Sequence, residues 1–290
     1  MKISGFTFIR NAVKFDYPVL ESIQSILPVC DEVVIAAGNS DDDTLGLIQS
    51  INSSKIKIIQ TVWDDSLREG GRVLAAETNK ALAVISPDSD WAFYVQADEV
   101  FHENDLPKII DAMKKYKDDK NVEGLLFDHI NFYGSYDYTA DSHKWHKKEV
   151  RIIRNDKNIS SYKDAMSFRR NGEKLRVKYC GAMIYHYGWV KNPSVQQEKR
   201  IAFNKMWHDD QWVQQNIETV NEFDYSKIDV LSRFTGTHPS VMHERIRRMN
   251  WNFSFDPSKG AAPSSRIKLI NFIHKTTGWH IGEFKNYKLI

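Results

Sequence analysis

The stretch "WAFYVQADEV", residues 91–100, decides how this sequence folds. Residues 91–95 are mostly apolar and show no alternation, which is typical of a strand buried on both faces of a sheet. Gln96, Asp98 and Glu99 follow at once, so a buried strand passes directly into a charged turn. Ligands of open α/β sheets bind beyond the carboxyl ends of the strands, which makes this turn the first candidate for a site.

Apolar runs alternate with helical patterns on both sides of this stretch, which predicts βαβ units and a parallel sheet flanked by helices. The predicted strands of the first half are residues 2–9, 32–38, 55–63 and 91–100. In the second half the pattern indicates a mixed sheet with strands at 121–134, 148–156 and 178–190, a polar aromatic loop at 133–148, and helices at 194–210, 238–250 and 263–276.

No low-complexity linker or cluster of Pro and Gly divides the chain. We therefore expect one domain over residues 1–235, with a donor half at about 1–110 and an acceptor half at about 111–235. Residues 236–290 are expected to form a helical C-terminal extension of the same domain.

The composition excludes several classes of protein. A formal net charge of +2 on 290 residues argues against a dedicated nucleic-acid binder. Cys30 and Cys180 form no C-x-x-C motif, so we expect no zinc knuckle. The N-terminus has no signal-peptide pattern and no run of about 18 apolar residues occurs, so a cytoplasmic location is expected, or one at the inner face of the membrane.

All four predicted strands of the first half end in polar or charged residues, which should meet at one edge of the sheet. These exits are Arg10-Asn11, "GNSDDDT" (38–44), "WDD" (63–65) and Gln96 to Glu99. The sequence contains no G-x-G-x-x-G after the first strand, no P-loop and no G-x-S-x-G elbow, so a dinucleotide fold, a P-loop enzyme and an α/β-hydrolase are not indicated.

The order of "FIRN", "GNSDDDT", the helix bearing Asn79 and "DWAFYVQADEV" resembles family 2 glycosyltransferases. The resemblance implies a GT-A fold, with a Rossmann-like, mostly parallel central sheet, and a nucleotide-diphosphate sugar as donor. Ser40, Asp42 and Thr44 match the S-x-D-x-T pattern of that family, although the acidic residue expected before it is missing. The residues that the resemblance assigns to the donor are Arg10, Asn11, Asp42, Asn79, Gln96 and Asp98.

In that family a D-x-D motif after the fourth strand coordinates Mn²⁺ or Mg²⁺. Here Asp98 matches its last acidic position, whereas Gln96 replaces the first. A divalent cation would neutralise the charge of the donor diphosphate and of the leaving group. The resemblance also implies His186, in "YHYGWV" (185–190), as a second metal ligand, and an imidazole suits Mn²⁺ better than Mg²⁺.

A sugar transfer with inversion needs a base that deprotonates the acceptor hydroxyl. The resemblance places such a carboxylate after the strand "VRIIRND" (150–156), and Asp164 is the candidate, with Asp156 and Glu149 as weaker ones. Asp164 could equally be an ordinary loop carboxylate, and Asp42 a carboxylate at the start of a helix.

The leading hypothesis is a metal-dependent, hexosyltransferase-like enzyme that transfers a sugar to a glycan or a lipid-linked glycan. The C-terminal segment is basic and partly amphipathic, and a peripheral membrane helix there would suit a lipid-linked acceptor. Two alternatives stay open. One is a nucleotidyltransferase acting on a sugar phosphate, and the other is a non-catalytic carbohydrate-binding protein on a degenerate GT-A fold.

Overall fold

A computed structural model describes residues 1–67, 69–140, 142, 145–228, 230–255, 276 and 285–290. The elements of the first part of the chain are β1 (Ile3–Ile9), α1 (Val19–Ile26), β2 (Glu32–Gly38), α2 (Thr44–Gln49), β3 (Ile56–Thr61), α3 (Arg72–Leu82), β4 (Trp91–Tyr94), β5 (Glu99–Phe101) and α4 (Leu106–Tyr116).

The later elements are β6 (Gly124–Tyr133), β7 (Ser135–Ala140), β8 (Lys148–Arg154), β9 (Ile159–Tyr162), β10 (Ser167–Arg170), β11 (Glu173–Lys174), β12 (Arg176–Trp189), α5 (Pro193–Lys205), α6 (Asp210–Asn216), β13 (Leu231–Arg233), α7 (His243–Arg247) and β14 (Lys288–Leu289).

Four parallel strands, in the order β3-β2-β1-β4, form one side of a sheet that has 11 strands within the described residues. Every residue of β4 is buried, as is the middle of β2, which explains why both read as continuous apolar runs. Helices α1 and α4 pack on one face of these strands through Ile23 and Met113, and α3 packs on the other face through Val73. The predicted α/β architecture, with a parallel central sheet flanked by helices, is confirmed.

The sheet continues beyond β4 as a mixed sheet, also as predicted. Strand β8 is antiparallel to β4, and β6 joins β8 to the 14-residue strand β12, which is parallel to β6. Strand β5 pairs with β12 in antiparallel fashion, so the turn that follows β4 is attached to the far half of the sheet. This attachment brings Asp98 close to the C-terminal end of β12.

The prediction of a loop over residues 133–148 was wrong for its first part, because Ser135–Ala140 form β7 and pair with β6. Gly134, with φ of 72°, makes the tight turn between the two strands. The aromatic residues Tyr136 and Tyr138 favour a strand, and this preference outweighs the opposite tendency of Asp137 between them.

The C-terminal extension is only partly helical in the portion that the structure describes. Within the predicted helix 238–250, α7 covers five residues after a 3-10 turn at Ser240–Met242. The chain ends in β14, which pairs with the start of β12. The predicted helix 263–276, with its predicted membrane contact, lies outside the described residues apart from Thr276.

Among the described residues, no helix is both long enough and apolar enough to cross a membrane.

Candidate functional site

Two cavities lie at the carboxyl ends of β1 to β4. The smaller, of about 480 Å³, lies over the parallel strands and includes Arg10, Asn11 and Asp98 in its wall. The larger, of about 1120 Å³, lies over the mixed half of the sheet and includes His186. The residues that line both cavities are Gln96, Asp164 and Phe203. Six of the eight residues predicted for the site lie in these walls, whereas Asp42 and Asn79 lie in neither.

Asp98 lies at the border between the cavities, where β5 holds the turn against β12. Its Oδ2 is 3.6 Å from Nε2 of His186 and 3.3 Å from Nζ of Lys199 on α5. The three side chains are only 14%, 16% and 13% exposed. Burial alone would raise the pKa of Asp98, but the charges of Lys199 and His186 outweigh it and hold that pKa well below its usual range. The carboxyl group of Asp98 is thus held in its ionised form.

A chain of hydrogen bonds fixes the orientation of His186. Asn131 donates from Nδ2 to the carbonyl oxygen of His146 at 3.0 Å, so its Oδ1 faces Nδ1 of His186, also at 3.0 Å. Because that oxygen can only accept, Nδ1 must carry a proton, and Nε2, the ring nitrogen that faces Asp98, is the one available to a cation. Metal-bound histidines are commonly oriented by such a partner on the second ring nitrogen.

Gly188 keeps open the space between these two ligand atoms. A Cβ atom at this position would lie 2.5 Å from Nε2 of His186 and 2.7 Å from Oδ2 of Asp98. Protein nitrogen and oxygen ligands lie about 2.1 Å from a bound divalent ion, so two atoms 3.6 Å apart can share one ion. Asp98 and His186 therefore fit a divalent cation.

The pair provides two protein ligands and no more. The described part of the chain contains no group of three or more His, Cys, Asp or Glu side chains that could hold a metal ion. A cation here would need further oxygen ligands, which phosphate groups of a substrate commonly supply to Mg²⁺.

Glu99, the neighbour of Asp98, has a different role. It accepts two hydrogen bonds of 2.7 Å from the guanidinium of Arg151, and it is fully buried. Its Oε1 also lies 3.3 Å from Nε2 of His129. Burial acts to raise the pKa of Glu99, but Arg151 prevails and lowers it to about 2. This ion pair joins β5 to β8 and is structural.

Asp164 lies in the turn between β9 and β10 and faces both cavities. Its neighbours Lys163 and Ala165 both have left-handed backbone angles, with φ of 53° and 62°. Its Oδ1 is buried and has no hydrogen-bond partner within the described ranges. Burial raises the pKa of this carboxyl above its ordinary value. A carboxylate of raised pKa with a free oxygen is suited to accept a proton.

The outer wall of the smaller cavity is aromatic. The guanidinium of Arg10 lies 5.5 Å from the ring centroid of Trp63, and it is held by Asp65 at 3.0 Å and by the carbonyl of Asn39 at 3.1 Å. Phe8 packs against the same indole. A flat apolar wall beside a few polar groups is a common form of site for an aromatic heterocycle.

Asn11 and Asp42 hold the loops that follow β1 and β2. The backbone N–H of Asn11 donates to Oγ of Ser40, and its side-chain oxygen accepts from the N–H of Asp41. The carboxylate of Asp42 accepts from the backbone N–H of Lys14 at 2.6 Å and from Thr44. Both residues thus shape the rim of the smaller cavity through backbone contacts.

Asn79 lies on α3 and contacts a separate sheet formed by β11, β10 and β9. Its Oδ1 accepts a hydrogen bond of 2.7 Å from the N–H of Ser161 on β9. Because Asp164 follows β9, Asn79 is connected to the predicted base through the backbone of the β9–β10 hairpin.

Aromatic side chains form much of the wall of the larger cavity. Trp189 is in ring contact with Tyr133 at 6.0 Å, Trp145 at 5.6 Å and Phe223 at 5.9 Å. The carboxylates of Glu218, Glu222 and Asp224 lie along the same wall. Rigid aromatic faces beside polar groups can bind ligands that have both apolar and hydrogen-bonding surfaces, as sugars do.

Three contributors were missed by the sequence interpretation: Asn131, Gly188 and Trp63. Gly188 and Trp63 stand in stretches already noted, "YHYGWV" and "WDD", so the strand-exit rule could have found them. Asn131 lies inside β6, and its contact with His186 depends on the pairing of β6 with β12.

No protein-family model matches the chain, and no curated protein matches it in sequence. Among solved structures, TarS of S. aureus is similar at a TM-score of 0.40 and 15% identity, over 76% of this chain and 67% of that one. The synthase of 4-diphosphocytidyl-2C-methyl-D-erythritol from Anaerococcus prevotii is similar at a TM-score of 0.40 and 14% identity, over 70% of this chain and 96% of that one.

Glucosyl-3-phosphoglycerate synthase from Mycobacterium tuberculosis, solved with Mn²⁺ and uridine diphosphate, gives a TM-score of 0.30 and 19% identity over 46% of this chain and 43% of that one. A crystal structure of TarS also contains uridine diphosphate. Since every one of these TM-scores is below 0.5, the similarities assign neither a family nor a function to the chain.

Proposed function

We propose that this protein transfers a sugar from a nucleotide-diphosphate donor to a hydroxyl group of a glycan acceptor. The donor would occupy the smaller cavity and the acceptor the larger one. The observation that supports the proposal is that Asp98 of the smaller cavity faces His186 of the larger one at 3.6 Å, while Asp164 lines both cavities.

The donor half of the proposal rests on the smaller cavity. Trp63 and Arg10 in its wall suit the base, and Asp98 in the same wall contacts His186 of the larger cavity. Asp98 and His186 would hold a divalent cation that neutralises the diphosphate and its developing charge. Gln96 lines both cavities, and its Nε2 lies 3.4 Å from the carbonyl of Ala165, next to Asp164. It would orient the sugar between the two sites.

Asp164 is the proposed base. The acceptor oxygen would form a bond to the anomeric carbon while the bond from that carbon to the diphosphate oxygen breaks. The diphosphate would leave with the electron pair, and the proton of the acceptor hydroxyl would go to Asp164. The single displacement would invert the anomeric configuration.

The transfer rate should fall when Asp164 is protonated. Because burial raises the pKa of this carboxyl, we expect the acid limb of the rate profile above the usual carboxyl range of about 4. The Asp164→Asn variant should lose turnover at every pH but keep its affinity for the nucleotide. A variant that keeps turnover would disprove the assignment of Asp164.

A thermal-shift titration tests the donor site. We would titrate UDP, GDP and CDP in turn, with Mn²⁺ and with EDTA, and expect one nucleotide to raise the melting temperature in the presence of Mn²⁺. Asp98→Asn should remove the Mn²⁺-dependent part of the shift, and Asp111→Asn, at an exposed carboxylate of α4 outside both cavities, serves as a control. No shift with any nucleotide would refute the proposal.

The reaction products separate this function from the nucleotidyltransferase alternative. Incubation with the nucleotide sugar that binds should release a nucleoside diphosphate and a glycosylated acceptor. Release of pyrophosphate from a nucleoside triphosphate and a sugar phosphate would favour the alternative instead.

A further inference from the structure

The ammonium of Lys199 contacts the same carboxylate oxygen that faces His186. Its Nζ lies 3.3 Å from Oδ2 of Asp98 and donates at 2.9 Å to the carbonyl oxygen of Gly188. Both contacts are at the proposed cation site. The position of this lysine therefore determines how much negative charge Asp98 can offer to a cation.

A second lysine lies close by. Lys191 is fully buried, and its Nζ donates to the carbonyl oxygen of Asp16 at 2.7 Å. The Nζ atoms of Lys191 and Lys199 each lie 4.7 Å from the ring centroid of Tyr17. Burial and the neighbouring Lys199 lower the pKa of Lys191 well below its ordinary value, so the positive charge beside Asp98 is chiefly that of Lys199. A divalent cation bound here alone would meet this like charge in a largely buried site, where repulsion is strong.

A diphosphate would reverse this balance, because each of its phosphoryl groups carries a negative charge. The ammonium of Lys199 ends a flexible stem and has three donors, so it can turn from a carboxylate to phosphoryl oxygens. The cation and the diphosphate would then stabilise each other at Asp98.

We infer that Lys199 prevents a divalent cation from binding at Asp98 until a diphosphate is present, so that the cation and the nucleotide sugar bind together. Lys199 is then a positioning residue that sets the order of binding. This inference rests on the proposed donor site, and it concerns the binding of the metal and not the transfer reaction.

Electron paramagnetic resonance of free Mn²⁺ measures metal binding directly, without any assay of activity. We expect the wild-type protein to bind Mn²⁺ weakly when no nucleotide is present, and more tightly when UDP, GDP or CDP is added. The Lys199→Met variant removes the charge and keeps an unbranched side chain that is one atom shorter. It should bind Mn²⁺ alone at least about tenfold more tightly than the wild type.

Two further variants make the result specific. Lys199→Arg keeps the positive charge and should bind Mn²⁺ alone as weakly as the wild type does. In the Lys199→Met background, Asp98→Asn should abolish the gain. A merely structural role of Lys199 would not increase the affinity for the metal, and circular dichroism confirms that each variant is folded.

The outcomes separate this inference from the proposed function. If the wild type binds Mn²⁺ alone as tightly as Lys199→Met does, the inference is overturned while the metal site stands. If no variant binds Mn²⁺ with or without a nucleotide, although nucleotides still raise the melting temperature, then both the inference and the proposed use of a metal are wrong.

Discussion

Asp98 and Glu99 are adjacent carboxylates with opposite surroundings. Glu99 is fully buried and receives two hydrogen bonds of 2.7 Å from Arg151, so its charge is matched by short, paired contacts. Asp98 has longer contacts, 3.3 Å to Lys199 and 3.6 Å to His186, and it lies in the wall of the smaller cavity. The oxygens of Glu99 are taken up by the short paired contacts and by His129, whereas the longer contacts of Asp98 can be exchanged for a ligand. The comparison separates a charge with a structural partner from the charge that we propose binds a cation.

The largest expected effect is on stability, at the Glu99 pair. Arg151→Met would leave Glu99 buried without its main partner, and we expect a loss of about 3–5 kcal/mol in the free energy of unfolding. Lys199→Met, the matched change at Asp98, should cost less, because Asp98 keeps His186 and some contact with solvent. Urea denaturation of both variants checks the difference. Equal losses would contradict the distinction between the two carboxylates.

Glu99 and Asp98 both have lowered pKa values and should both contribute to the pH dependence of stability, and mutation isolates the share of Glu99. The pKa of Glu99 in the folded protein is lowered from 4.5 to about 2, mainly by Arg151 against the effect of burial. A depressed pKa contributes stability that is present above pH 4.5 and is lost as the pH falls toward 2. A shift of this size corresponds to about 3 kcal/mol. Urea denaturation between pH 5 and 2 measures it, and Glu99→Gln should flatten the curve. An unchanged slope in that variant would assign the effect to other carboxylates.

Gly188→Ala tests the functional side of the comparison. The added methyl group would stand within 2.7 Å of both Asp98 Oδ2 and His186 Nε2, so these two side chains must move apart. We expect the Mn²⁺-dependent affinity for the nucleoside diphosphate to fall at least about tenfold, or about 1.4 kcal/mol. Isothermal titration calorimetry measures this. Gly172→Ala, at a glycine with open space around it but a φ of 84°, strains the backbone away from both cavities and so controls for a general loss of stability. Equal affinity in Gly188→Ala and the wild type would rule out a cation between Asp98 and His186.

The sequence predicted the fold further than it predicted the site. The apolar runs of β2 and β4 and the polar strand exits follow local rules, and these were confirmed in the sheet. The role of Glu99 could not be predicted, because its partner Arg151 lies 52 residues away on a strand that pairs with β4. The importance of Gly188 depends on the absence of a side chain, which has meaning only once His186 and Asp98 are placed around it.

The turn that contains Asp164 has a strained backbone, which holds the Asp164 side chain in place but lowers the stability of the protein. Left-handed angles cost an ordinary residue about 1 kcal/mol, and both Lys163 and Ala165 adopt them. Glycine at the exposed Lys163 position would relieve this cost and raise the melting temperature. It would also make the backbone more flexible, so that the carboxylate of Asp164 would be held less firmly in place. We therefore expect Lys163→Gly to be more stable but slower in turnover, which thermal denaturation and initial rates would show; a variant that gains on both counts would contradict this expectation. If the expectation holds, anyone engineering this chain for heat resistance should leave that hairpin alone.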